Sequence, residues 1–123
     1  MHFNDSIGTK KGLKVIYTHH EQSASMAAEG VARITGRPGV VNVSTGPGGT
    51  NALTGLAGAW IDSIPMIIIS GQVESKDMIL NSKTRQIGIQ EANTKDIIKS
   101  ITKYSKVLTK NSDVEFEISN AYR

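Results

Sequence analysis

Residues 39–50 have the sequence GVVNVSTGPGGT, in which a β-branched run is followed at once by a glycine-rich turn. A short apolar run bounded by turn residues is typical of a buried strand, and Gly-Pro and Gly-Gly pairs mark the turn that ends it. A small-residue segment from Asn51 to Trp60 comes next, and a second apolar run covers residues 64–70. Continuous apolar runs suit strands that are covered on both faces. The stretch therefore predicts a strand, a glycine turn, a helix and a second strand.

The chain before this stretch predicts one more strand and one more helix. Val15–Tyr17 is a short β-branched and aromatic run, and Thr18–Glu21 has the Thr-x-x-Glu spacing of a capping box, so a helix is expected to begin there. Gly36 and Pro38 supply its end. Its apolar face recurs at helical spacing and is mostly alanine: Ala24, Ala27, Ala28, Val31 and Ile34. Alternating strands and helices predict an α/β fold, a three-layer αβα arrangement with a mainly parallel sheet.

The chain after Gln72 is less regular, and we expect a long loop up to Asn93. The predicted elements are a helix from Glu74 to Leu80, a helix capped by Thr94 that ends at Lys99, a strand from Tyr104 to Leu108, and a helix capped by Ser112 that carries Val114, Ile118 and Ala121. Because the last helix runs directly into Arg123, residues 1–123 are expected to form a single, truncated domain.

Composition excludes several classes of function. With 123 residues, 38% hydrophobic and 20% charged, the chain suits one globular domain. The net charge is +3, but many of the lysines fall between Lys76 and Lys110, spaced among acidic residues, and only 5% of residues are aromatic, so we expect no nucleic-acid partner. No apolar run approaches the roughly 20 residues that span a bilayer, so no membrane association is expected. The absence of cysteine excludes thiol chemistry and is compatible with a cytoplasmic location.

The glycine turn has two interpretations. It is either a tight connection between strand and helix, or a place where a ligand approaches the backbone and meets N–H donors at the start of a helix. A dinucleotide fingerprint needs a third glycine where Asn51 stands, and a phosphate-binding loop needs Gly-Lys-Ser/Thr, which the sequence lacks. The common phosphate motifs therefore do not fit.

Glu21 also has two interpretations. In the first turn of a helix, a glutamate often acts only as a cap that the helix dipole favours. Alternatively, its alanine-rich surroundings desolvate the carboxyl and favour the protonated form, which suits proton sharing with a ligand nitrogen. His19 and His20 beside it point in different directions at a helix start, so we expect no metal site.

Four segments together carry a family resemblance. They are THHEQSA at residues 18–24, STGPGGTNA at 44–52, AWIDSIPM at 59–66 and SGQ at 70–72. In this order and at this spacing they strongly resemble the pyrimidine-binding domain of thiamine-diphosphate-dependent enzymes of the acetolactate synthase type. The likeness extends through Gln90 and Glu91 to about Leu108.

The resemblance implies roles for particular residues. Glu21 matches the glutamate that hydrogen-bonds N1′ of the aminopyrimidine, where proton exchange favours the tautomer whose 4′-nitrogen removes the C2 proton of the thiazolium. Pro47, Gly48 and Asn51 match the loop that packs beside the pyrimidine. Gln90 matches a glutamine near the reacting end of the cofactor. Acetolactate synthases usually have an aromatic residue just before that glutamine, whereas this chain has Ile89.

The resemblance also implies what other parts of such an enzyme supply. In the family, thiamine diphosphate is held through its diphosphate and Mg²⁺ by another domain, which carries a Gly-Asp-Gly segment that this sequence lacks. The site forms between subunits, so a homodimer or homotetramer is implied. The implied reaction forms or cleaves a C–C bond next to the carbonyl of a 2-oxo acid, with the isolated chain inactive. Two alternatives stay open: a small nucleotide- or phosphate-binding module that uses the turn from Gly46 to Asn51, and a non-catalytic remnant that docks on a full-length homologue.

Overall fold

The computed structural model describes residues 2–79 and 82–123. The elements in this part of the chain are α1 (His2–Thr9), α2 (Glu21–Thr35), β1 (Gly39–Val43), α3 (Pro47–Asn51), α4 (Leu53–Ile61), β2 (Met66–Ser70), α5 (Thr94–Ile98), a 3₁₀ helix (Lys99–Ile101) and α6 (Val114–Tyr122). No helix in the described ranges is long and apolar enough to cross a membrane.

The two strands form a parallel pair. Gly39 is opposite Met66 and Val43 is opposite Ser70, with the helices α3 and α4 in the connection between the strands. The predicted order of strand, glycine turn, helix and strand is therefore confirmed, although the helix is divided at Ala52. Because the strands are parallel, both end at the edge of the sheet where the glycine turn begins, and the amide of Gly71 donates there to the carbonyl of Val43 at 2.8 Å.

The core lies between one face of the sheet and α2. Val41 and Val43 alternate with exposed residues along β1 and are buried against Ala28. Small residues allow this close approach: a Cβ added at Gly39 would lie 2.1 Å from the carbonyl oxygen of Ala28. On the opposite face, the amide of Asn42 donates to the side chain of Asn4 in α1 at 2.6 Å. Helices thus contact both faces of a parallel sheet, which confirms the α/β fold class.

Helices α2 and α4 are also in close contact. The side chain of Ser25 is fully buried, and a Cβ added at Gly55 would lie 2.3 Å from its Oγ and 2.9 Å from the backbone nitrogen of Met26. Only a glycine fits at this helix crossing. The prediction of close packing is confirmed for Ala24 and Ala28 only. Ala27, Val31 and Ile34 of the predicted face are exposed, and Ser25 and Ala32 are buried instead, because the helix turns a neighbouring face to the sheet and to α4.

Gly55→Ala is expected to destabilise the protein by about 1–3 kcal/mol, because the added methyl overpacks the contact between α2 and α4. Thermal unfolding followed by circular dichroism measures the change. Gly58→Ala in the same helix is the matched control: its nearest neighbour is 3.5 Å away, at the flexible end of Glu29. The control is expected to leave stability unchanged or to raise it by up to about 1 kcal/mol. Equal losses in both variants would contradict the close packing.

The start of α2 differs from the prediction. Its N-cap is His20, whose Nδ1 accepts from the amide of Gln22 at 3.1 Å, whereas the hydroxyl of Thr18 donates to the carbonyl of His20. The predicted capping box is therefore wrong, because the imidazole satisfies the free amide in place of the threonine. The end of the helix is confirmed at Gly36, which has the left-handed φ of 66°.

Two predicted strands are absent from the described part of the chain. Val15–Tyr17 is irregular, and the Tyr17 side chain is 81% exposed, so the β-propensity of these residues finds no sheet to join within the described residues. Residues 104–108 are likewise irregular. Tyr104 there hydrogen-bonds Glu117 of α6, and Lys106 forms an ion pair with Glu117 at 3.4 Å. Side-chain contacts to a helix thus replace the predicted strand pairing.

Other element boundaries shift by one residue or are wrong. Asn93, not Thr94, caps α5, and Asp113, not Ser112, caps α6, because the carboxamide and carboxylate oxygens reach the free amides of Asp96 and Phe116. Residues 74–79 contain a turn at 75–77 in place of the predicted helix, and the end of that prediction at Leu80 lies outside the described residues. The helix α1 was not predicted at all.

Candidate functional site

Glu21 and Asn51 meet at the edge of the sheet where the strands end. Glu21 is the first residue of α2, Asn51 is the last residue of α3, and both are half-buried. The side-chain amide of Asn51 donates to Oε2 of Glu21 at 3.0 Å. Two residues that the sequence analysis selected separately therefore form one polar pair.

The pair keeps Glu21 ionised. The hydrogen bond from Asn51 is the largest cause that lowers the pKa of Glu21 below 4.5, and its own backbone amide adds to the effect, while partial burial acts in the opposite direction. Donors to the charged form outweigh desolvation here because the carboxyl is only half-buried. The expectation that the alanine-rich surroundings favour the protonated form is wrong.

Asn51→Ala is expected to raise the pKa of Glu21, because the variant removes the strongest donor to the carboxylate. ¹³C NMR titration of the Glu21 carboxyl carbon measures it. Since the folded-state pKa lies below the unfolded value, the wild-type hydrogen bond adds stability above pH 4.5 that is lost as the pH falls further. Asn42→Ala, which removes another amide hydrogen bond, is the control and leaves the titration of Glu21 in place. An unchanged midpoint in Asn51→Ala would contradict this cause.

The glycine turn lies directly beside Glu21. Gly48 and Gly49 are buried, and a Cβ added at Gly48 would lie 2.3 Å from Oγ of Ser44 and 3.5 Å from Oε1 of Glu21. Pro47 is exposed and begins α3. The turn is therefore a tight connection and also forms the wall next to the carboxylate, so the two interpretations of its sequence are compatible.

Gln90 reaches the same turn from a distant part of the chain. A Cβ added at Gly46 would lie 2.0 Å from the carbonyl oxygen of Gln90, so the two backbones are in direct contact. The side chain of Gln90 is exposed, and its backbone has the left-handed φ of 59°. The structure thus brings all of the selected residues, Glu21, Pro47, Gly48, Asn51 and Gln90, to one edge of the sheet.

His20 takes a structural role. The ring of His20 caps α2, and no group of three or more histidine, cysteine, aspartate or glutamate side chains within residues 2–79 and 82–123 is arranged to hold a metal ion. One polar contact near Gln90 was not predicted from the sequence: the amide of Ile79 donates to the carboxylate of Glu91. Its only signal was the inclusion of Glu91 in the family resemblance.

The thiamine pyrophosphate enzyme family, N-terminal TPP binding domain, matches residues 1–97. The chain belongs to this family, and thiamine diphosphate is therefore its cofactor. It is 41% identical over 118 residues to the acetolactate synthase large subunit of Buchnera aphidicola subsp. Acyrthosiphon pisum and 38% identical over the same length to that of Lactococcus lactis. It is also 34% identical over 103 residues to the 2-hydroxyacyl-CoA lyase of Arabidopsis thaliana.

These matches cover 96%, 96% and 84% of this chain but only 20%, 20% and 16% of the three relatives. The chain thus spans about a fifth of the length of the curated relatives it matches. The resemblance to acetolactate synthases that the four sequence segments carry is confirmed.

The residues at the site fit the aminopyrimidine end of thiamine diphosphate. A carboxylate whose second oxygen is held by Asn51 is suited to exchange a proton with a ring nitrogen. Gly48 lacks a side chain at the wall beside Oε1 of Glu21, where a planar ring needs close access. The same carboxylate repels phosphate groups, so the described residues suit the ring and not the diphosphate.

Proposed function

We propose that the chain is the pyrimidine-binding domain of an enzyme that forms or cleaves C–C bonds next to the carbonyl of 2-oxo acids. The observation that carries the proposal is the hydrogen bond between Asn51 and Glu21 beside the buried glycine turn. When bound, thiamine diphosphate supplies an electron sink for a carbanion next to a carbonyl. The relatives named acetolactate synthase support this reaction class for the complete protein.

Each selected residue has one task in this proposal. Glu21 exchanges a proton at N1′ of the aminopyrimidine, and Asn51 keeps its carboxylate ionised and oriented so that it is ready to do so. Pro47 and Gly48 form the wall against the ring. Gln90 lies at the rim of the site, next to Gly46, where its exposed side chain is able to contact the substrate.

We infer that the complete protein is a homodimer or homotetramer and that another domain holds the diphosphate and Mg²⁺. The accessible surface is 9106 Å², whereas a compact monomer of 13.2 kDa has about 6,400 Å². Large apolar side chains form part of the excess, including Tyr17 at 81% exposed and Ile34 at 88%. Exposed apolar surface of this kind marks a contact with another domain or subunit. The cytoplasm is the proposed location, and cell fractionation tests it.

A nucleotide- or phosphate-binding module is the second candidate, because the turn with Gly48 and Gly49 starts a helix as phosphate sites do. The carboxylate of Glu21 beside Gly48 argues against it, since like charges repel in a half-buried site. A non-catalytic partner of a full-length homologue is the third candidate, and it requires no ligand at this site.

Titration of the ¹⁵N-labelled chain with thiamine tests the proposal, with ADP as the probe for the second candidate. We expect thiamine to shift the resonances of Glu21, Gly48 and Asn51, and Glu21→Ala to remove the shifts. Shifts with ADP alone would favour the phosphate module. No shift with either probe would leave the non-catalytic partner as the better description.

A further inference from the structure

The backbone at Gln90 is held in a conformation that is unfavourable in isolation. Its φ of 59° is one of two positive values among the described residues that are not glycine. An L-residue in this region brings its Cβ close to its own carbonyl oxygen, so the conformation persists only where the surroundings enforce it. Such residues concentrate at functional sites, and the contacts that hold Gln90 in this conformation come from the residues around it.

The turn before Gln90 supplies the first of these contacts. Gly88 is buried, and a Cβ added to it would lie 2.7 Å from a methyl group of Val73. Its carbonyl accepts from the side-chain amide of Gln86 at 3.0 Å and from the amide of Glu91 at 3.3 Å. Residues 86–91 therefore form a compact turn that packs on the segment after β2.

Glu91 joins this turn to that segment. Both of its carboxylate oxygens lie 3.0 Å from the amide nitrogen of Ile79, twelve residues earlier in the chain, and its side chain is half-buried. A hydrogen bond to a charged acceptor is stronger than one between neutral groups, and more so when it is partly shielded from water. The contact is placed one residue after Gln90, where it limits how far the backbone of Gln90 can rotate.

We propose that Glu91 is a positioning residue that keeps Gln90 in its left-handed conformation against Gly46. The inference rests on the proposed function, because that function is what makes the placement of Gln90 matter. The Glu91 carboxylate accepts from the amide of Ile79, and Gly88 packs against Val73. While both contacts are present, the carbonyl of Gln90 remains in contact with the glycine turn. The side chain of Gln90 then remains at the rim of the site. Without the carboxylate, Gln90 relaxes to negative φ and leaves the turn.

Glu91→Ala in the full chain tests the proposal by NMR. A positive φ places the Hα and HN of one residue close together and gives a strong cross-peak between them. We expect this cross-peak of Gln90 to weaken in Glu91→Ala and to be largely retained in Glu91→Gln, whose carbonyl oxygen still accepts from Ile79. Amide exchange at Glu91, whose N–H donates to Gly88, is expected to rise about tenfold in the alanine variant only.

Glu74→Ala is the matched control, because Glu74 lies in the same segment but its carboxylate pairs with exposed Lys76 at the surface. It is expected to leave the signals of Gln90 unchanged. If Glu91→Ala fails to fold, Glu91→Asp, with a shorter carboxylate, replaces it and is expected to give a weaker cross-peak. A full Gln90 cross-peak in the variant that folds would overturn the proposal.

A second measurement separates this inference from the proposed function. We expect thiamine to shift the side-chain amide resonances of Gln90 in the wild type but not in Glu91→Ala, while the shifts at Asn51 persist in both. Loss of the Asn51 shift in Glu91→Ala would show a general structural effect and overturn the positioning role. A wild type that does not respond to thiamine would contradict the proposed function, and the cross-peak would still decide the role of Glu91.

Discussion

Glu21→Gln is expected to lower the rate of C2 proton exchange of bound thiamine diphosphate by about 10²–10⁴-fold, the usual contribution of a general acid–base group. The carboxamide keeps the size of the side chain and still accepts the hydrogen bond from Asn51, but it cannot take up a proton from N1′. The measurement uses a full-length relative in which this chain replaces the matching segment, with exchange followed by NMR after acid quench.

Glu74→Gln is the control for this prediction. It removes the same charge from a side chain that is 73% exposed and lies outside the site, so the exchange rate is expected to match the wild type. Thermal unfolding of both variants checks that the fold is intact. An exchange rate in Glu21→Gln within a few-fold of the wild type would exclude the proposed role of the glutamate.

Gly46→Ala is expected to cost at least about 2 kcal/mol of stability. The φ and ψ of Gly46, 61° and −118°, lie in a region that only glycine adopts readily, and the strain of an L-residue there is about 1–3 kcal/mol. The added Cβ would also lie 2.0 Å from the carbonyl oxygen of Gln90, so the two backbones must separate. We expect the melting temperature to fall by roughly 10 °C and Gln90 to lose contact with the turn.

Gly30→Ala gives a matched comparison for Gly46→Ala. Gly30 lies within α2 with nothing within 4 Å of an added Cβ, so alanine is expected to raise stability by up to about 1 kcal/mol there. A Gly46→Ala variant that is as stable as the wild type would contradict the contact between the glycine turn and Gln90.

Local sequence predicts the central part of the fold well. The runs at residues 39–44 and 64–70 predict β1 and β2 to within two residues, since each is rich in valine or isoleucine and ends at a serine before a glycine-containing turn. Gly36 ends α2 as predicted, because a left-handed position at a helix end requires glycine. Such features depend on residues that are neighbours in the chain, which is why pattern alone finds them.

Local sequence does not predict the structure of a segment whose conformation depends on residues far away in the chain. Val15–Tyr17 has the composition of a strand but no partner within the described residues, so it stays irregular. Residues 104–108 are also irregular, and Tyr104 and Lys106 contact Glu117 on a helix instead of another strand. In both segments, β-propensity measures only how well a residue fits a sheet that must already exist.

The candidate site, like the fold, has features that the sequence predicts and features that only the tertiary structure shows. Its residue types were evident from the sequence, because Glu21 lies at a predicted helix start, the turn is rich in glycine, and the four family segments contain both. The sequence by itself thus determined the family, the βαβ order and the identity of the selected residues. Only the tertiary structure decided that Asn51 bonds Glu21, that the pKa of Glu21 falls instead of rising, and that Gln90 rests on Gly46. These outcomes depend on contacts between residues far apart in the chain, and no periodicity or local propensity encodes such contacts.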